Sequence, residues 1–297
     1  MKNVLVLISS ARHPALNDGA IRNAVAVLQA QGAAVGPPQW LAPEIACDIP
    51  FDGPFDGEAR PVAMTAIDAV VVPSEGRRKK LLVADMESTM IENEMLDELA
   101  EFLGLREKIA GITARAMNGE IDFAGALNER VALLKGLDVA RLDEAAKRIR
   151  YMPGGATLVA TMKKHGGHCA LVSGGFTHFT AMVHKVLGFD CHAANGLQHD
   201  GRTLAGTVDL PILGKEAKLA TLLRLAAEHG LSPAEAVAVG DGANDLPMLK
   251  AAGLGVAFHA KPAVAAEVAA RIDHGDLTAL LYLQGYRHCD FVERTES

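Results

Sequence analysis

The sequence predicts an α/β fold: a parallel sheet carrying a helical insertion, preceded by a small N-terminal α/β domain. Three observations predict it. Apolar runs end twice in loops of carboxylates, small residues and hydroxyls. Leu81-Leu82-Val83-Ala84 leads into Asp85-Met86-Glu87-Ser88-Thr89, and Val237-Ala238-Val239 into Gly240-Asp241-Gly242-Ala243-Asn244-Asp245. From residue 155 onward, helix- and strand-like patterns alternate at the spacing of βαβ units, which build parallel sheets. After Asp85, about 65 residues show helical periodicity without a convincing strand.

In chain order, a strand is expected over residues 3–8, too short for a signal-peptide core or a membrane span. A helical pattern over 19–31 stops at Gly32. A Pro/Gly-rich stretch follows, then a strand over 67–72 ending at Pro73. Residues 1–76 thus form the small unit, with few obvious strands. Arg77-Arg78-Lys79-Lys80 reads as a solvated linker before a buried strand. The second unit, 77–297, carries its helical insertion at about 92–152. Inside it a helix over 94–102 ends at Gly104, another capped by Asp122 runs to 135, and a third spans 138–150 before Pro153. Next come a helix over 155–165, a strand over 168–172 and a helix over 177–187. Asp200-Gly201 marks a hairpin turn. A helix over 215–229, a strand over 236–239, a helix from Leu246, a strand over 254–258 and a helix near 277–283 complete the pattern.

Composition narrows the classes. With 297 residues, 49% hydrophobic and 22% charged, the chain is long and apolar enough for a sizeable core. A net charge of −7 argues against nucleic acid as the main partner, because phosphate-backbone binding needs a basic face. It leaves room for a small phosphorylated substrate, and nothing predicts a membrane partner. Cys47, Cys169, Cys191 and Cys289 lie far apart without a Cys-x-x-Cys pair, so neither zinc nor a disulfide is expected and a reducing cytoplasm fits.

A buried strand ending in an acid delivers that acid to the sheet edge where ligands bind. Two such deliveries place at least three carboxylates around one divalent cation, which takes hard oxygen ligands. Asp85 and Glu87 form a pair whose split pKa values suit an ionised nucleophile and a protonated acid. Asp241 and Asp245 share a loop whose glycines permit close backbone approach. Ser173 does not fit a nucleophile elbow, because residue 171 is Leu. Its hydroxyl and the Gly174 N–H are better suited to gripping phosphoryl oxygens. Lys218, among Leu219, Leu222 and Leu223, would by itself be assigned to a solvent-facing helix position.

Taken in order, Asp85-x-Glu87-Ser88-Thr89, Ser173, Lys218 and Gly240-Asp241-Gly242-Ala243-Asn244-Asp245 resemble the four motifs of the haloacid-dehalogenase-like (HAD) phosphohydrolase superfamily. The resemblance covers about residues 80–285 and implies a HAD-like Rossmannoid sheet whose helical insertion is a cap. Glu94, Asp97, Val172-Ser173-Gly174-Gly175-Phe176-Thr177 and Ala251-Ala252-Gly253-Leu254-Gly255 point to members that hydrolyse O-phospho-L-serine. The resemblance implies that Asp85 is the nucleophile and Glu87 the acid and base, with Ser173 and Lys218 holding the phosphoryl group. It implies Mg2+ on the Asp85 and Asp241 carboxylates and the Glu87 carbonyl, with Asp245 in support. Glu94 would face the substrate ammonium and Arg130 its carboxylate, with Gly174 and Asn244 lining the site and Met117 and Phe123 as apolar lid contacts. Where the family carries Asp, this chain has Glu87, which keeps the acid and adds a methylene. Residues 1–76 stand where family members carry an amino-acid-sensing ACT domain, so a degenerate ACT-like unit, with a homodimer through it, is expected.

Three other readings compete. The substrate would be another small monoester, phosphohomoserine or phosphothreonine. Alternatively, catalysis is weakened by Glu87 and the chain senses an amino acid. Finally, the phosphoryl group would pass to an alcohol instead of water.

Overall fold

A computed structural model describes residues 1–53, 66–117 and 120–295. The chain begins with strand β1 (Asn3–Ser9), helix α1 (Asp18–Ala30), β2 (Ala34–Val35), β3 (Gln39–Ala42), β4 (Ala46–Asp52) and β5 (Ile67–Pro73). Both neighbours of β1, β4 and β5, run antiparallel to it. The unbroken apolar run Val4-Leu5-Val6-Leu7-Ile8 has a simple cause, since both faces of β1 are covered. Leu5 and Leu7 pack with Ala20, Ala24 and Leu28 of α1. Val4, Val6 and Ile8 point the other way, into the main core with Leu280 and Leu281. Each such fully buried Leu or Ile contributes roughly 1.5–3 kcal/mol. Asn17 starts α1 by accepting from the Gly19 and Ala20 N–H groups, at 2.9 and 3.1 Å.

The second sheet starts with β6 (Leu81–Ala84), and its remaining strands are β7 (His168–Phe176), β8 (Cys191–Asn195), β11 (Ala236–Gly240), β12 (Leu254–Phe258) and β13 (Ala270–Ile272). Their order is β13-β12-β11-β6-β7-β8, all parallel. Around it lie α6 (Gly155–Lys164), α7 (Thr177–Leu187), α8 (Lys215–Glu228), α9 (Leu246–Ala251), α10 (Pro262–Ala265) and α11 (Ala279–Leu283). β6 is buried at all four positions because helices cover both faces, as parallel sheets require. After β6 the chain builds outward through β7 and β8, then returns to add β11, β12 and β13 on the other side. The reversal lies between β6 and β11, the kind of crevice in which α/β sheets bind ligands.

Between β6 and α6 the described residues of the insertion form four helices: α2 (Met95–Glu101), α3 (Arg106–Met117), α4 (Phe123–Ala132) and α5 (Ala140–Ala146). Its two stems are tied together, Glu92 N–H donating to Arg150 O at 2.8 Å and Met152 N–H to Met90 O at 2.9 Å. A hairpin of β9 (Leu197–His199) and β10 (Leu204–Val208), turning at Asp200-Gly201 as expected, braces α4 from the side. Among the described residues no helix is long and apolar enough to cross a membrane.

Several expectations need correction. β2, β3 and β4 went unseen because Pro38, Pro43, Pro50 and Gly53 punctuate them; β2 and β3 are short edge strands, and Pro50, inside β4, stands level with the break between them. α3 was missing from the expected insertion, and the helices expected to reach 135 and 150 end at Ala132 and Ala146. The basic run at 77–80 is only partly a solvated linker. Arg77 is 11% exposed at its side chain and grips Asp48 bidentately at 2.6 and 3.0 Å. It also donates to the carbonyls of Tyr282 and Leu283, joining the N-terminal sheet to α11.

Candidate active site

Register decides what meets at the crevice. Ala84 pairs with Val239 on one side and Leu171 on the other, so Asp85, Asp241 and Ser173 stand at nearly the same level, just past the end of β6. The Asp85 N–H extends the ladder by one bond, to Val239 O at 3.0 Å. Asp85, Asp241 and Asp245 consequently bring carboxylate oxygens within 4.8 Å of one another. Ser88 takes a positive φ of 56°, uncommon for a residue with a side chain, and turns the chain back after Glu87.

Lys218 is 0% exposed, where its neighbours in sequence taken alone suggested a solvent-facing position, and is the pivot of the cluster. Its Nζ lies 2.5 Å from Asp85 Oδ1 and 2.6 Å from Asp245 Oδ1. Burial alone would lower its pKa, but the two carboxylates overcome that and raise it, so the ammonium stays charged. Asp245 is fully buried and uses its second oxygen to accept from Gly242 N–H at 3.0 Å. Such close approach explains Gly240, where a Cβ would stand 2.4 Å from the Asp245 carboxyl group.

Burial and the Asp245 carboxylate push the Asp85 carboxyl up to about 7, with Lys218 pulling against them. Glu87 is pushed up to about 8 by burial, then by the Glu94 carboxylate. Its Oε1 accepts from Met95 N–H at 2.8 Å at the start of α2, while Oε2 lies over Gly175, where a Cβ would come within 2.8 Å. The acid therefore touches both the strand end and the first insertion helix. Asp241 is raised by burial and eased by Lys261, whose Nζ lies 3.5 Å away.

Three carboxylates face one buried ammonium, so the cluster retains negative charge and offers hard oxygens, a donor set that fits a divalent cation.

Of the other expected residues, Ser173 is 1% exposed and its Oγ accepts from Gly175 N–H at 2.9 Å, leaving its own O–H to donate. Phe123 closes over Gly174 and Gly214, since a Cβ on them would lie 3.0 and 3.3 Å from its ring. Asn244 sits in the Asp241 loop with its Oδ1 against Gly242. Glu94 accepts from the Ser88 hydroxyl at 2.9 Å at the rim. Arg130 is turned to its own helix, donating to Ala126 O at 3.1 Å, and the structure does not bring it onto the acidic cluster. The side chain of Met117 lies outside the described residues. Sequence reasoning missed Lys261, whose signal was a lysine one turn beyond the end of β12 at the same sheet edge. It also missed Asn195, which reads as an ordinary strand-end residue.

Residues 82–250 match the family of haloacid dehalogenase-like hydrolases. Over 210 residues the chain is 46% identical to a phosphoserine phosphatase of Polaromonas sp., covering 69% of this chain and 89% of that protein. It is 42% identical over 230 residues to a phosphoserine phosphatase of Streptomyces coelicolor, covering 76% of this chain but 56% of the relative. The crystal structure of a probable phosphoserine phosphatase from Vibrio cholerae superposes with a TM-score of 0.79 at 29% identity, covering 97% of this chain and 88% of that one.

Proposed function

The chain belongs to the haloacid dehalogenase-like hydrolases, and on that premise we propose that it is a phosphoric monoester hydrolase converting O-phospho-L-serine to L-serine and phosphate, with Mg2+ as its metal. The observation that carries this reading is the buried Lys218 held between Asp85 and Asp245, beside Asp241, at the crevice of the sheet.

Lys218 holds one oxygen of Asp85, and the other attacks phosphorus. As the aspartyl-phosphate bond forms, the bond from phosphorus to the serine oxygen breaks, and the departing oxygen takes the proton of Glu87. A carboxyl raised to about 8 carries that proton at neutral pH. Glu87, now ionised, removes a proton from water, whose oxygen attacks phosphorus and releases phosphate and the Asp85 carboxylate. The Ser173 hydroxyl, the Gly174 N–H and Lys218 hold the oxygens over which charge spreads. Asp85, Asp241 and the Glu87 main-chain carbonyl would hold the metal, with Asp245 behind them, and Mg2+ there would neutralise charge on the phosphoryl oxygens. Glu94 recognises the substrate ammonium and Arg130 its carboxylate, Arg130 leaving its present backbone partner as substrate enters. Met117 and Phe123 supply apolar contact from the insertion, and Asn244 lines the floor.

We place the reaction in the cytoplasm, in keeping with unpaired Cys47 and Cys169. Residues 1–76 are read as a degenerate ACT-like domain serving a homodimer. The test is a panel of phosphate esters assayed with Mg2+ and with EDTA. Phosphoserine should be hydrolysed fastest, and EDTA should stop release. Equal rates on esters lacking the amine and carboxylate would reject the Glu94 and Arg130 roles.

A further inference from the structure

Asn195, the last residue of β8, makes no hydrogen bond to the acidic cluster, yet it is only 2% exposed and its amide is fully committed to backbone. Its Nδ2 donates to Gly174 O at 2.8 Å and to Leu213 O at 3.2 Å, while its Oδ1 accepts from Leu213 N–H at 2.7 Å. No other orientation of the amide serves these three groups. The peptide between Gly174 and Gly175 is thus held at both ends, its carbonyl by Asn195 and its N–H by the Ser173 hydroxyl. Leu213 lies just before α8, which carries Lys218. One side chain therefore ties the segment that presents Ser173 to the segment that presents Lys218. Phe123 packs on both segments, at Gly174 and at Gly214.

We propose that Asn195 is a positioning residue that keeps the Ser173 hydroxyl and Lys218 at the spacing required for phosphoryl transfer. The proposal rests on the phosphatase reading and adds to it a residue outside the four motifs. Its chemistry is that of a neutral carboxamide: two donors and one acceptor, in a place where a carboxylate would face two carbonyls.

Asn195→Ala and Asn195→Asp test it, compared with the parent for phosphoserine turnover, Mg2+ affinity by calorimetry, melting temperature and beryllofluoride binding as a phosphoryl mimic. In Asn195→Ala, kcat should fall about 10- to 100-fold, while KM and Mg2+ affinity change by less than about threefold. Beryllofluoride binding should weaken in parallel with kcat. Asn195→Asp should recover part of its loss as the pH falls, because the protonated acid can again donate to a carbonyl, whereas the Ala variant should keep the parental profile. A kcat within about twofold of the parent in both variants, or identical pH profiles for the two, would overturn the proposal. If Asn195→Ala does not fold, the Asp variant against the parent decides. If the parent hydrolyses other esters but not phosphoserine, the substrate reading fails, while beryllofluoride binding still decides the role of Asn195.

Discussion

Replacing Lys218 by Met keeps the unbranched stem and removes the ammonium. The structure dictates a large cost. Lys218, Asp85 and Asp245 are 0%, 6% and 0% exposed, and both carboxylates contact the ammonium directly. Removing one member of a buried ionic group typically destabilises by about 3–5 kcal/mol, because its partners remain desolvated and uncompensated. Here the loss should depend on pH. Burial already raises Asp85 to about 7, and without Lys218 it rises further, so a proton can neutralise the cluster in acid. Urea denaturation without metal should show the loss of about 3–5 kcal/mol at pH 7.5, shrinking towards pH 5, where protonation replaces the missing cation. Added Mg2+ should restore part of the stability at pH 7.5 by binding the folded state. Phosphoserine hydrolysis should fall at least about 100-fold even with saturating Mg2+, since a charge aimed at the transferring group is lost. A stability change under about 1 kcal/mol, or the same change at both pH values, would refute the ionic account of this cluster.

Arg77→Ala should cost about 3–5 kcal/mol, because Asp48, 7% exposed in the intact protein, loses its bidentate partner, whereas Lys80→Ala, at an exposed pair with Glu235, should barely move the melting temperature; thermal unfolding compares the two. Glu87→Gln addresses the other raised carboxyl. Its folded pKa of about 8 lies above the ordinary 4.5, so its stabilising contribution is full below pH 4.5 and is lost as pH rises through 8. The Gln variant should therefore flatten the fall in metal-free melting temperature between those limits, and a slope matching the parent would count against a buried, protonated Glu87.

The acidic cluster was largely legible because Asp85 and Asp241 stand at strand ends. Val83-Ala84-Asp85 and Val239-Gly240-Asp241 announce themselves by a change from apolar to acidic, and a parallel sheet carries both to one edge. Lys218 was not legible from its own surroundings. Helical periodicity marks a buried face, but it does not say whether a lysine there points at solvent or at two carboxylates distant in the chain. Three strands of the N-terminal sheet, β2, β3 and β4, were obscured for a related reason: prolines interrupt their local pattern, and β4 is held by β1, a partner remote in sequence.

By itself, then, the sequence determined the alternation of strand and helix, the acidic loops and the helical insertion, since these depend on patterns within a few turns of chain. Only tertiary structure decided which charges lose their water and which partners replace it. It also decided that Asn195 joins the segments that present Ser173 and Lys218, and that Arg77 anchors a sheet its own charge run seemed to leave behind. Those outcomes depend on register and burial, which arise when segments far apart in the chain pack together.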